Sequence, residues 1–305
     1  MRLSNEIIMG AAWLFHYLNP PVLDADKIYA HAKKHNEGQV FKMPKDRKFN
    51  YQDLKIQTDL GSYHCLRIKK KGKKPDKAVL YIGGGGGVYN YYQAQLILAK
   101  KLLKRVDAEI YYPFYPPSTK HPIKEAYQMI FETYRVMLRD YRYEKVAVIG
   151  LSFGGTAAMT IISWNNFFNE KLPMPALTIA LSPGHVPANQ AEKDSLESFR
   201  GKDPIVPVDW IENFGKINAG GQSLEPWFIH SARGDFSNAG KICLYYGEKE
   251  SLAYAAPIYK RFLEKAGADY KIHIEPGMPH CYGAVRINRA SKRTYDEYVG
   301  LINGL

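Results

Sequence analysis

A serine acts as a nucleophile only where the chain exposes its hydroxyl and a base can reach it. Val146–Thr156 reads Val-Ala-Val-Ile-Gly-Leu-Ser-Phe-Gly-Gly-Thr. A short apolar run, Val146–Ile149, ends in Gly150-Leu151-Ser152-Phe153-Gly154, and a helical pattern starts straight after. Such a run closed by glycine reads as a buried strand. A serine with glycine two positions away on each side, between strand and helix, has the pattern of a nucleophile elbow. The reason is steric. The turn holds the serine at positive φ, and glycines at 150 and 154 let neighbouring backbone pass close by. The following helix aims unpaired N–H groups and partial positive charge at Ser152. The plainer alternative is an ordinary strand–helix turn.

The serine needs a base, and the base needs a carboxylate to set its tautomer. Nine histidines compete. His16, His31 and His35 lie in helical patterns, His64 and His273 within strands, and His121, His185 and His230 in loops. His280 follows the last strand pattern in Gly277-Met278-Pro279-His280, at a strand's carboxyl end, where open α/β sheets keep their chemistry. The acid is expected in the loop after the preceding strand, Gly247-Glu248-Lys249-Glu250-Ser251-Leu252. Glu250 is the choice and Glu248 its rival. Ser152, Glu250, His280 is then the chain order serine, acid, histidine.

Gly83–Gly87 follow another apolar run, Ala78–Ile82. A dinucleotide fingerprint needs glycines at i, i+2 and i+5, and every frame fails at Val88, Tyr89 or Asn90. The phosphate-loop pattern also fails, for want of Gly-Lys-Ser/Thr. What remains is a loop whose amides can point inward. Acyl transfer uses such donors on the oxyanion of a tetrahedral intermediate, at about 10²–10³ in rate for each.

These segments must be positioned by strands alternating with helices. Tyr63–Ile68, Ala78–Ile82, Glu109–Tyr112, Val146–Ile149, Ala176–Leu181, Ile242–Tyr246 and Tyr270–Glu275 read as strands. Helical patterns cover Tyr92–Leu103, Ile123–Asp140, Gly155–Phe168, Ala253–Lys265 and Ser291–Leu301. The alternation implies an α/β class, with a mostly parallel sheet covered on both faces. Two segments break it. Residues 1–50 carry helices at Ile7–Leu18 and Ala25–His35 and no strand, and Trp13, Leu14, Phe15 and Leu18 form an apolar face that must pack on something. Residues 185–235 are polar and proline-punctuated, with helical pieces near Gln190–Phe199 and Val208–Phe214. The core is therefore 51–184 and 236–305, with 1–50 and 185–235 as the two parts of a cap.

The 305 residues are 46% apolar, ample for a large core, and no stretch has the apolar length to cross a bilayer. A net charge of +12 could serve nucleic acid or an anionic membrane, but the lysines are spread through surface-like segments. Only Lys69–Lys74 is dense, and it reads as a solvated hairpin tip between two strands. Cys65, Cys243 and Cys281 lack metal-ligand spacing and cannot form a full disulfide set, which suits a reducing cytoplasm. Ile7–Leu18 lacks the small-residue cleavage site of a signal peptide and reads as an amphipathic helix.

The chain resembles the α/β-hydrolase superfamily, and within it the bacterial relatives of hormone-sensitive lipase, from about Ala78 onward. Tyr81-Ile82-Gly83-Gly84-Gly85-Gly86-Gly87-Val88 resembles that family's strand followed by His-Gly-Gly-Gly, and Gly150–Gly154 matches its elbow. Glu250-Ser251-Leu252 resembles its acid-x-Leu segment, the stretch from Pro226-Trp227 to Asp235 resembles the approach to it, and His280 matches its base. The resemblance implies an oxyanion hole from Gly84, Gly85 and Gly86 with the amide of Phe153. Three departures stand out: Gly83 replaces the motif's histidine, Glu250 stands where Asp is commoner, and the elbow is Gly-Leu-Ser-Phe-Gly where Gly-Asp-Ser-Ala-Gly is usual.

The expectation is a serine carboxylic-ester hydrolase with no cofactor and no metal, acting on a small-molecule ester of short or medium acyl chain. Tyr89, Phe153 and Trp210 are candidates to line an apolar pocket. The alternatives are an amidase or peptidase on the same groups, a non-catalytic binding protein on the same fold, and a membrane-surface protein using the charge and the Ile7–Leu18 helix. Nucleic acid is not expected as a partner, and the sequence is silent on oligomeric state.

Overall fold

Apolar runs too short for helices become strands buried on both faces. The computed structural model describes residues 4–305. Its first part runs α1 (Asn5–Leu18), α2 (Ala25–Glu37), β1 (Phe49–Gln57), β2 (Ser62–Lys70), β3 (Ala78–Ile82), α3 (Tyr92–Leu103), β4 (Glu109–Pro113) and α4 (Ile123–Asp140). The elbow region follows as β5 (Val146–Leu151), α5 (Phe153–Phe167) and β6 (Leu177–Leu181). The rest is α6 (Gln190–Glu197), α7 (Val208–Ala219), β7 (Lys241–Gly247), α8 (Ala256–Lys265), β8 (Tyr270–Glu275) and α9 (Arg289–Gly304).

The strands form one sheet in the order β1-β2-β4-β3-β5-β6-β7-β8. β1, β2 and β4 pair antiparallel, and every neighbour from β4 to β8 is parallel. Parallel neighbours need a crossover, and the crossover helices cover the sheet. Side-chain alternation divides the core between its two faces. On β3, Val79 and Tyr81 pack with Leu96, Ala99 and Leu102 of α3 and with the α9 tyrosines Tyr295 and Tyr298. Ala78, Leu80 and Ile82 meet α4 and α5 on the other side. The carboxyl ends of β3, β5, β6 and β7 therefore open on one edge, beneath α7 and the segment around it.

Three expectations change. Phe49–Gln57 is a strand, although the sequence reading starts strands only at Tyr63. Its polar run, Phe-Asn-Tyr-Gln-Asp-Leu-Lys-Ile-Gln, buries only Phe49 and Ile56 because it is an edge. Lys69–Lys74 is not a hairpin tip. Lys69 and Lys70 are the half-buried end of β2, paired with β1, and because β2 pairs with β1 and β4 the exposed Lys71–Lys74 carries the chain past β4 to β3. The apolar face of α1 does not pack as expected. The helix buries no residue, and Leu14, Phe15 and Leu18 are 60%, 68% and 67% exposed. Its apolar residues run round much of the helix, so no single neighbour could cover them. Among the described residues, no helix is long and apolar enough to cross a membrane.

Candidate active site

Ser152 sits between the last residue of β5 and the first of α5, at φ 54 and ψ −123. A residue with a Cβ is strained there. The tight turn fixes the glycines: a Cβ on Gly150 would lie 1.9 Å from the Gly154 carbonyl oxygen, and one on Gly154 would lie 2.2 Å from that of Ile82. The Ser152 amide donates to the Leu181 carbonyl at 2.7 Å, tying the turn to β6. Its side chain makes no capping bond, so the hydroxyl is left to the cavity it lines.

That cavity, of about 490 Å³, also takes in His280. The histidine follows β8, and its Nδ1 lies 2.5 Å from Oε2 of Glu250. Glu250 is fully buried after β7. Its other oxygen accepts from the Ser182 hydroxyl and from the Gly247 amide, each at 2.8 Å. Ser182 also takes the Cys281 amide at 2.9 Å, so one hydroxyl braces both the acid and the loop after the histidine. Burial pushes the Glu250 carboxyl up, against the opposing pull of His280. Burial also pulls His280 down, but Cys281 and Glu250 outweigh it and hold the imidazole well above its ordinary value. Nε2 lies 3.5 Å from Cys281 Sγ, and among the described residues no hydrogen bond joins it to the Ser152 hydroxyl. Such bonds often form only once substrate is bound.

Glu248 is elsewhere. It is exposed, accepts from the Gly277 amide at 2.9 Å, and pairs with Lys249. His185 is the more serious competitor, since it lines the same cavity and pairs with Glu192 at 3.1 Å. Both of its nitrogens are engaged: Nε2 meets Glu192, and Nδ1 accepts from the Ala232 amide at 3.2 Å. Burial lowers its pKa to about 4, so it is neutral and has no nitrogen to offer a serine.

The glycine loop runs against the nucleophile. A Cβ on Gly84 would lie 2.7 Å from the Leu151 carbonyl oxygen and 3.0 Å from Ser152 Cβ. The Gly84 amide donates to Gln95 Oε1 at 2.6 Å, so it is already committed. The amides of Gly85 and Gly86 have no partner among the described residues, and that of Phe153 is an orphan donor of the first turn of α5. Of the four residues expected to supply oxyanion donors, Gly84 is therefore the one whose N–H points elsewhere.

The wall is aromatic. Phe153 stacks on Tyr127, with centroids 5.6 Å apart, and Tyr127 stacks on Phe228. Trp210 stacks on Phe214 and donates Nε1–H to the Val22 carbonyl at 2.6 Å; Tyr89 holds His31 through its hydroxyl at 3.0 Å. Tyr89, Phe153 and Trp210 all line the cavity, as do Phe15 of α1 and Ile205 of the 185–235 segment. Sequence reasoning missed Gln95, Ser182 and Asp203. Asp203, buried in that segment, accepts the Ser251 amide at 2.8 Å and so anchors the residue beside Glu250. None of the three stands in a motif, and only the fold brings them to the site.

Residues 79–284 match the family model described as the α/β-hydrolase fold. No curated protein matches the sequence. Among solved structures, an esterase from the bacterial hormone-sensitive lipase family superposes with a TM-score of 0.78 at 17% identity, over 100% of this chain and 99% of that one. EstE7, a hormone-sensitive-lipase homologue from a metagenome library, gives 0.78 at 19% identity over the same shares. A hormone-sensitive lipase from a metagenome library gives 0.76 at 19%, again over 100% and 99%. At such identities the structural likeness speaks for the fold. The family model spans more than half the chain, from β3 through the elbow to the loop that carries His280, and the protein belongs to the α/β-hydrolase family.

Proposed function

We propose that the protein is a serine carboxylic-ester hydrolase. The observation that carries this is a strained serine at a helix N-terminus sharing one cavity with a histidine backed by a buried carboxylate. Ser152 attacks the ester carbonyl while His280 takes its proton at Nε2. Glu250 holds the Nδ1 proton and stabilises the imidazolium. The oxyanion is received by the amides of Gly85, Gly86 and Phe153, with Gly84 framing the loop. His280 then protonates the leaving alkoxide, and water attacks the acyl-serine through the same base. The esterase and lipase neighbours agree with this reading.

The substrate is a small uncharged ester with a short or medium acyl chain, since the wall is aromatic and the cavity is of small-ligand size. Residues 1–50 and 185–235 form the cap, a division supported by Phe15, Ile205, Trp210 and Phe214 reaching the cavity from those segments. The three unpaired cysteines fit a cytoplasmic location. A fluorophosphonate should label the purified protein on Ser152 and nowhere else. Ser152→Ala should fold normally and lose on the order of 10⁶ in kcat on p-nitrophenyl acetate. Turnover by Ser152→Ala at near-parent rate would end this reading.

A further inference from the structure

Gly83 and Gln95 occupy one space. A Cβ built on Gly83 would lie 2.4 Å from Gln95 Oε1, far inside any real contact, while its next neighbour, the Tyr112 hydroxyl, is 3.4 Å away. Gln95 lies in the first turn of α3, and the Gly84 amide, eleven residues before it, donates to that same Oε1 at 2.6 Å. The carbonyl end of the same peptide unit is held as well, because the buried Tyr115 hydroxyl donates to the Gly83 carbonyl at 2.8 Å. The Gly83–Gly84 peptide is thus clamped at both ends. A run of five glycines has little stiffness of its own. A clamp at its entry decides where the amides that follow point.

We propose that Gln95 is a positioning residue for the oxyanion loop: by accepting the Gly84 N–H, it fixes the plane from which Gly85 and Gly86 present their amides to the reacting carbonyl. The absent side chain at position 83 makes room for this clamp. The family motif places a histidine there, so in this chain the brace comes from α3 and not from the loop itself. The inference rests on the esterase reading above. It predicts a loss felt in the transition state and not in substrate binding, because the oxyanion exists only there.

Gln95→Met removes the acceptor and keeps the bulk. It should lower kcat on p-nitrophenyl acetate about 10-fold to 100-fold, the scale of misaligning donors by roughly an ångström. KM should stay within about threefold. Affinity for a phenylboronic acid, which forms a tetrahedral anion on Ser152, should fall in proportion to kcat. Gln95→Glu keeps an acceptor and should lose less than Gln95→Met. Gly83→Ala should act like Gln95→Met, since its methyl expels Oε1. The double variant Gly83→Ala/Gln95→Ala should be no worse than Gly83→Ala alone, because both changes break one bond. If the two single changes merely alter packing, the double variant should refill the space and recover activity, which would overturn the proposal. So would a Gln95→Met enzyme with parent kcat and parent boronate affinity, and if that variant does not fold, Gln95→Ala answers the same question. A parent protein that neither turns over the ester nor reacts with fluorophosphonate refutes the esterase reading. A parent that does both, with an indifferent Gln95→Met, refutes the role of Gln95 alone.

Discussion

Glu250→Gln is the substitution whose consequence the geometry specifies most narrowly. Oε1 of Glu250 receives two donors, the Ser182 hydroxyl and the Gly247 amide, each at 2.8 Å. Oε2 faces Nδ1 of His280. A glutamine must put its oxygen at one of these positions and its NH₂ at the other. The Gly247 amide can only donate, so an NH₂ placed against it would leave two donors facing each other in a buried site. The oxygen therefore stays with Gly247 and Ser182, and the NH₂ turns to His280. Nδ1 must then accept, which moves the ring proton to Nε2, the atom that has to take the proton of Ser152. The base is blocked by its own hydrogen and the imidazolium loses its counter-charge.

The expected loss is about 10⁴ in kcat, or roughly 5 kcal/mol of transition-state stabilisation. The protein should stay folded, because the change relieves a buried charge and keeps its two fixed donors. Glu248→Gln should alter kcat less than about threefold, that carboxylate being exposed and engaged by the Gly277 amide and Lys249, with no bond to His280 among the described residues. The assay is kcat on p-nitrophenyl acetate beside long-range ¹H–¹⁵N correlation of the His280 ring, which reads the tautomer directly. A folded Glu250→Gln enzyme within tenfold of the parent, or one whose proton remains on Nδ1, would refute the reasoning. So would Glu248→Gln proving the crippling change.

Catalysis needs neutral imidazole, and the raised His280 pKa keeps the ring protonated over more of the acid range. The acid limb of kcat/KM should therefore lie above pH 6.5, with activity lost as pH falls through it. Among the described residues, deleting 1–18 removes only Phe15 from the cavity wall and no buried residue of α1. Acetate turnover should be unchanged, and KM should rise for hexanoate and longer esters, by at most about 0.8 kcal/mol for each methylene that rested on that ring. An unchanged chain-length profile would show that α1 does not shape the pocket.

What could be read from the chain alone was local in cause. The elbow announces itself because two glycines are demanded within two residues of the serine, and β3, β5 and β6 because strands buried on both faces are almost wholly apolar, with Thr178 of β6 the one polar side chain. The places where reading failed depend on distance along the chain. β1 is an edge whose polar residues face water, so its pattern is faint. The path of Lys69–Lys74 depends on β2 choosing β4, a pairing no local pattern encodes. The supports of the site are of the same kind. Gln95 meets Gly84 across 11 positions, Tyr115 meets Gly83 across 32, Asp203 meets Ser251 across 48, and Ser182 meets Glu250 across 68. Each is a common polar residue whose task is set by its neighbour, and a chain read in order does not show neighbours.

The histidines make the same point more sharply. Four of them sit against a carboxylate: His64 on Asp53, His185 on Glu192, His273 on Glu275, and His280 on Glu250. A histidine–acid pair therefore carries little information in this protein. His64 and His273 lie on strands, away from the cavity that Ser152 lines, and His64 also meets Lys55. His185 reaches that cavity but spends both nitrogens on Glu192 and the Ala232 amide. Among the described residues, only His280 combines a carboxylate at Nδ1 with an Nε2 whose sole neighbour within bonding range is a thiol, in a cavity shared with a strained serine. A thiol is a weak partner, and a serine proton drawn in by bound substrate displaces it at little cost. Availability of the second nitrogen, more than the presence of the acid, is what separates a base from a structural histidine here.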